Sequence, residues 1–561
     1  MGNLKQLLKH YMTPKLVKRR YYLRTGRPNW TKILAGDKER WQTARIQAAK
    51  GPKILLATCD GARLPVNTLE SLLAVALTLR GAEAHVLLCD SVMPACLECL
   101  SVWYNDQKRF VMYGPSRDLC KDCFTTADKM YRSLGIPTHR YSDLITPDEM
   151  ASVEEISSSL PANEIGSYVF DGMAIGEHAL AGALRYFARG TLDGERYAEP
   201  VLRRYLKASL ITACVTRRLI REYGFSSAVS IHGIYVPHGV IGEVARREKI
   251  RVVAWNRAYR KQCFLFSHGD TYHHTLMTEP TEKWENVLWT PKLEAQLLDY
   301  LKSRWYGTRD WIWFHEYPEE NLSAIAREVG VDFTKPCIGL LTNVVWDAQL
   351  HYPANAFPNM IDWLLQTIAY FASRPDLQLI IRVHPAEIRG TVSRQPAVEE
   401  IRRAFPVLPD NIFLIPPGSR VSTYAVMSQC NAVIIYGTKT GVELTSMGIP
   451  VIVAGEAWIR NKGVTLDANS PEDYFKILDQ LPLQARLDNA TVERARKYAY
   501  HFFFRRMIPL EFVEQADLPV EFKIRLSGID QLLPGKSKGL DIICSGIING
   551  ADFIYPAENM I

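Results

Sequence analysis

LQLIIRVHPAE, residues 377–387, and AVIIYGTKTGVE, residues 432–443, are the stretches that decide the fold. Each opens on a short run of apolar β-formers, too brief for a helix and ended by turn residues. That is the signature of a strand buried on both faces of a parallel sheet. Pro385 keeps the residue before it out of helical conformation, so His384 stands just past a strand end. The second run leads through a small-residue turn into a helical pattern.

The alternation extends outward from these two points. Strands are predicted at Cys337–Thr342, Leu377–Val383, Ile412–Ile415, Ala432–Tyr436 and Pro450–Ala454, with helices that include Ala354–Ser373 and Thr440–Met447. The N-terminal half reads the same way. Strand Lys53–Thr58, helix Asn67–Leu79 and strand Ala84–Cys89 form a βαβ unit, which implies a parallel sheet with a right-handed crossover. Strand Ser227–Ile231, helix Val240–Lys249 and strand Arg251–Trp255 repeat it, and residues 280–330, rich in Trp, Tyr and Glu, read as the passage between halves. The expected fold is therefore α/β and GT-B-like: two Rossmann-like parallel-sheet domains facing a cleft, with a Cys-rich insertion in the first. The expected units are a basic arm at 1–48, a first Rossmann-like domain at 49–330 (four-cysteine insertion about 91–130), a second at 331–484 and a helical tail at 485–561 packing back across both.

In such sheets ligands sit beyond the carboxyl ends of the strands. Arg382 and His384 alternate around Val383 and are candidates for a nucleotide phosphate, with Glu387 beside them. Tyr436, Gly437, Thr438, Lys439, Thr440 and Gly441 form a turn whose N–H groups and hydroxyls suit a phosphate. Glu443 is expected to accept both hydroxyls of a ribose, its plainer reading being a helix-dipole acid. Arg460 and Lys462 are expected at the same crevice, and the loop Asn343–Asp347 should face the other domain.

The RxHP motif, the TKTGVE helix start and the following Gly448-Ile449-Pro450-Val451 resemble the capsule polysaccharide biosynthesis family, which includes bacterial β-Kdo transferases. The resemblance covers about residues 335–465. It implies a GT-B glycosyltransferase that moves a sugar from a nucleotide-activated donor, CMP-Kdo-like or a UDP-sugar, to a polysaccharide or glycolipid acceptor in cell-envelope synthesis. Tyr436-Gly437-Thr438-Lys439-Thr440 departs from the commoner serine-rich turn, which leaves the donor nucleotide open. UDP-sugar 2-epimerases share the HP dipeptide and the helix-start glutamate, so an epimerase is the alternative enzyme. A non-catalytic capsule assembly or export factor is the other alternative.

The acceptor and the base are expected from the first domain: Asp60, His232 and His238 as catalytic candidates, and Asn256, Arg257, Tyr259, His268 and Asp270 for the acceptor. The plainer reading of Asp60 is turn capping. Cys96-x2-Cys99 and Cys120-x2-Cys123 have the spacing of a four-thiolate structural zinc site, with an iron–sulfur cluster as second choice; no catalytic metal is expected. The net charge of +7 is compatible with polyanions, but no nucleic-acid motif accompanies it. Neither an 18-residue apolar run nor a secretory signal is legible, so the expected location is cytoplasmic, with peripheral contact of the basic arm on the inner face of the membrane.

Overall fold

The computed structural model describes residues 14–101, 104, 106–115, 120–311, 317–347, 353–517 and 520–560; the first thirteen residues of the expected basic arm lie outside them. The chain is mixed α/β with two largely parallel sheets. The first contains β1 (Lys53–Cys59), β2 (Glu83–Leu88), β3 (Thr138–Arg140), β4 (Ser227–Ile231), β5 (Arg251–Arg257) and β6 (Cys263–His268), joined by β13 (Ile508–Pro509) from the tail. Its order is β13-β6-β5-β4-β1-β2-β3. β1 to β5 run parallel, whereas β6 and β13 are antiparallel additions at one edge.

The second sheet contains β7 (Cys337–Leu341), β8 (Gln378–Arg382), β9 (Ile412–Ile415), β10 (Ala432–Ile435), β11 (Val451–Val453) and β12 (Leu466–Asp467), in the order β12-β11-β10-β7-β8-β9, all parallel. A short hairpin, β14 (Val513–Gln515) with β15 (Phe522–Ile524), lies in the tail. β1, β4, β7, β8 and β10 are buried nearly end to end, which is why they read as unbroken apolar runs.

Chain order reverses between β1 and β4 in the first sheet and between β7 and β10 in the second. At such a point the two neighbouring loops leave in opposite directions and open a crevice, where open α/β sheets take their ligands.

Three features depart from the sequence reading. Among the described residues the passage at 280–330 contains three helices, Glu282–Glu285, Pro291–Arg304 and Leu322–Val329, whose apolar residues Trp284, Leu293, Leu297 and Ile325 are buried. The expected run Ala354–Ser373 is helical only over Met360–Ala372, capped by the Asn359 side chain. The tail is not purely helical, since it supplies β13 and a hairpin. Its helix Lys538–Asn549 shares a hydrophobic core with helix Leu64–Thr78, a core that includes Leu540, Ile543, Val66 and Leu69. Among the described residues no helix is long and apolar enough to cross a membrane.

Candidate active site

A cavity of about 590 Å³ opens where the two reversal points meet. Loops after β7, β8, β10 and β11 form one wall. The other comes from the segments after β1, β4 and β5 and from helix Tyr272–Thr278. Its walls carry six cations (Arg63, Arg185, Arg257, Arg304, Arg382, Lys439) and four carboxylates (Asp310, Asp347, Glu456, Glu521). Four of the cations are already ion-paired: Arg257 with Glu521 at 2.6 Å, Arg304 with Asp310, Lys439 with Glu443 at 3.1 Å and Arg63 with Glu98 at 3.8 Å.

On the β7–β10 wall, His384 lies in extended conformation after β8. Its Nδ1 accepts from the Ala386 N–H at 3.1 Å, which assigns the ring proton to Nε2. Burial, and then Lys439 and Arg382, push its pKa down to about 4, so the ring is neutral at physiological pH. Arg382 is buried, and its guanidinium donates to Ser419 O at 3.1 Å and to Thr423 Oγ1 at 3.3 Å. Gly437 N–H donates to Asn343 Oδ1 at 3.2 Å, which ties the β10 turn to the β7 loop. Thr438 and Thr440 are linked through their hydroxyls at 3.2 Å. The helix after this turn, Thr440–Ser446, is only seven residues long, so the site offers individual N–H and O–H donors more than a macrodipole.

Glu443 differs from its expected role. Its Oε1 lies 3.1 Å from both Arg304 Nε and Lys439 Nζ, and its Oε2 accepts from the Tyr424 hydroxyl. Burial opposes ionisation, but Arg304 and Lys439 outweigh it and hold the carboxyl below its usual range. Both oxygens are engaged, and the residue does not line the cavity. The carboxylate instead fixes Lys439, whose Nζ stands 4.8 Å from the Tyr259 ring centre. Arg304 ends a helix in the stretch that the sequence reading left without structure.

Several expected donor residues lie behind the cavity wall. Gly441 is a packing residue, since a Cβ there would stand 2.7 Å from Ile435 Cδ1. Tyr436 lines the cavity and anchors its hydroxyl on Phe357 O at 3.0 Å. Glu387 caps helix Ala397–Ala404 by accepting from the Ala397 N–H at 3.2 Å, and burial raises its pKa to about 7. Arg460 is spent on Ala468 O at 2.8 Å and Asn469 Oδ1 at 2.7 Å. Lys462 donates to Met277 O at 2.9 Å, and burial lowers its pKa to about 8. Glu387, Arg460 and Lys462 do not line the cavity.

On the opposite wall His232 does line it. It holds a positive φ of 64°, its Nδ1 is buried without a partner, and burial, followed by Arg63, keeps its pKa well below the ordinary value. Asn256, Arg257 and Tyr259 line it too. Asp60 does not: it is 2% exposed, caps Ala62 N–H at 2.9 Å, and has its pKa raised to about 7 by burial and by Glu98. His238 is fully buried with Nε2 at 3.3 Å from Thr58 O, tying its helix to β1. His268 and Asp270 also lie elsewhere. β6 runs antiparallel, so His268 pairs with Val253 near the start of β5, and its ring stacks on Phe553. Asp270 accepts from His274 Nδ1 at 2.9 Å.

Further wall residues not named as individual candidates are Arg63, Arg185, Tyr272, His273 and Trp458. The β7 loop does face the opposite wall, with Asp347 Oδ1 accepting from the Tyr235 hydroxyl at 3.1 Å. Among the described residues no group of three or more His, Cys, Asp or Glu side chains is arranged to hold a metal.

The stretch that builds the β7–β11 wall can be compared with known proteins. Residues 334–493 match the family model for capsule polysaccharide biosynthesis proteins. The likeness carried by RxHP and TKTGVE is thereby shown over that stretch. No curated protein matches the chain. Among solved structures, a β-Kdo 2,4 transferase, KpsC, of Thermosulfurimonas dismutans is 14% identical with a TM-score of 0.34, covering 55% of this chain and 88% of that one. The β-Kdo 2,7 transferase of the same protein is 11% identical with a TM-score of 0.30, covering 56% and 87%. A UDP-GlcNAc 2-epimerase of Neisseria meningitidis bound to UDP-GlcNAc is 11% identical with a TM-score of 0.26, covering 79% and 97%.

Proposed function

We propose that the chain is a GT-B glycosyltransferase of capsule or cell-envelope glycan synthesis, with the nucleotide-sugar donor on the β7–β11 wall and the acceptor glycan or glycolipid on the other. The observation that carries this is the shared cavity: two sheet-reversal points open into it, and the family-matched stretch builds one wall. His384 Nε2–H, the Gly437–Thr440 turn and Lys439 bind the donor phosphates, and Glu443 positions Lys439. Those fixed donors offset the charge that develops on the leaving phosphate, so the chemistry asks for no catalytic metal. Neutral His232 takes the proton of the acceptor hydroxyl, and Asn256, Arg257 and Tyr259 hold the acceptor. The protein works in the cytoplasm, against the inner face of the membrane where glycolipid acceptors are found.

The test is a thermal-shift screen of the purified chain against CMP, UDP, GDP, TDP and ADP, repeated with His384→Ala and Thr438→Ala. A ligand of the folded state alone stabilises by about 2.7 kcal/mol at a hundred times its Kd. One nucleotide should raise Tm, and the variants should lose the response. No shift with any nucleotide at millimolar levels sinks the transferase reading. Conversion of a UDP-sugar without acceptor would mark an epimerase, and glycan binding that ignores nucleotide would mark an assembly or export factor.

A further inference from the structure

Two short turns lie beyond the ends of β1 and β2, beside the cavity, which Leu97 of the first turn lines. Cys96-Leu97-Glu98-Cys99 closes on itself through the Cys99 N–H, which donates to Cys96 O at 3.0 Å, and the buried Tyr205 hydroxyl clamps both cysteine carbonyls at 3.3 and 3.2 Å. Cys120-Lys121-Asp122-Cys123 opens the fourteen-residue helix Lys121–Leu134. Cys96 Sγ and Cys99 Sγ stand 3.9 Å apart. Zinc–thiolate bonds of about 2.3 Å in a tetrahedron impose a sulfur–sulfur separation of about 3.8 Å. One pair therefore already stands at zinc spacing. Among the described residues no three such groups stand together, so a four-thiolate site requires Cys120 and Cys123 to move toward the first pair.

Two polar atoms beside these turns are buried without a partner. Asp60 Oδ1 accepts from Cys123 Sγ at 3.6 Å, while its Oδ2 is buried with no partner, on a residue only 2% exposed. Arg27 reaches Thr126 Oγ1 on the same helix at 3.0 Å, and its Nη1 is also buried without a partner. A four-thiolate zinc centre carries two net negative charges, and Arg27, with one nitrogen unpartnered, is the neighbouring cation placed to offset them, since Arg19 and Arg63 already pair with Glu98. Each turn also carries an acid at its third position, and both acids pair with one helix, Pro14–Thr25. Arg19 meets Glu98 at 2.9 Å and Arg20 meets Asp122 at 2.8 Å. Arg63, which lines the cavity, approaches Glu98 from the other side at 3.8 Å.

We propose that Cys96, Cys99, Cys120 and Cys123 bind one structural zinc ion that joins the two turns and pins the basic N-terminal helix, and with it Arg63, to the rim of the cavity. All four positions are taken by thiolates, so the ion supplies folding energy and no catalysis.

Full-length protein purified without chelator should carry about one zinc per chain by elemental analysis. C96S/C99S and C120S/C123S should each abolish it. Cobalt added to the apo wild type should give the intense d–d bands and sulfur-to-cobalt charge transfer of a tetrahedral thiolate site, a readout that needs no variant to fold. Chelation should expose the Arg20 and Arg24 bonds to trypsin. Absence of zinc together with absence of the cobalt bands overturns the site. Zinc retained by C120S/C123S overturns the four-thiolate set, and iron with a visible cluster spectrum overturns the choice of ion. Trypsin cutting the arm equally in loaded and stripped protein overturns the pinning.

Discussion

At the level of single residues the decisive one is Glu443. It is 2% exposed and holds together two cations, Arg304 and Lys439, that would repel each other without it. Removing one member of a buried charge cluster costs about 3–5 kcal/mol, because the charges left behind cannot regain water. Glu443→Ala should therefore lose stability of that order in denaturant melts, whether or not nucleotide is present. Unchanged stability with weakened nucleotide binding would instead make the carboxylate a direct ligand of the ribose. His384 is a contrast: its ring is kept neutral by burial and oriented by one backbone N–H, so His384→Ala should cost binding more than folding.

Elements carry the next layer of constraint. Helix Lys538–Asn549 reaches the first sheet only because Gly539 has no side chain: a Cβ there would lie 1.9 Å from Pro509 O in β13. The same helix receives Arg251 on Ile547 O at 3.0 Å and Ser227 on Ile547 O at 3.1 Å. Gly539→Ala has to push the helix off β13, and overpacking of this kind costs about 1–3 kcal/mol. A lowered Tm with earlier proteolysis of the tail is expected. A Tm equal to wild type would mean that helix and strand separate at no cost. β6 makes a related point, because running antiparallel it carries His268 away from the cavity.

Across the whole molecule the two walls are tied by a titratable bridge. His274 bonds Asp270 on its own side at 2.9 Å and ion-pairs with Glu456, after β11, at 3.2 Å. Burial alone would lower its pKa, but the two carboxylates raise it to about 9. The unfolded value is about 6.5, so this contribution is complete below that pH and disappears as pH rises through about 9. Two and a half units correspond to an order of 3 kcal/mol. The stability gap between wild type and His274→Gln should shrink from pH 6 to pH 10. A gap independent of pH would show that the ring bridges the walls uncharged.

The sequence by itself determined the parallel centres of the two sheets, because strands buried on both faces must be unbroken apolar runs, and the loops that follow them, but not the edge strands β3, β6, β12 and β13. From LQLIIRVHP and AVIIYGTKTG came the wall with His384 and the Gly437–Thr440 turn, and from the strand before it His232. The sequence did not reveal which polar side chains face the cavity and which are consumed as braces. Arg460, Lys462, Glu387 and His238 sit at strand ends or helix starts like true ligands, yet each is engaged by a partner far along the chain or across a loop. Arg304 and Arg185 reach the walls from helices with no motif around them. Local pattern encodes the direction and burial of a strand. A side chain's partner is set by long-range packing, and only the tertiary structure decided that.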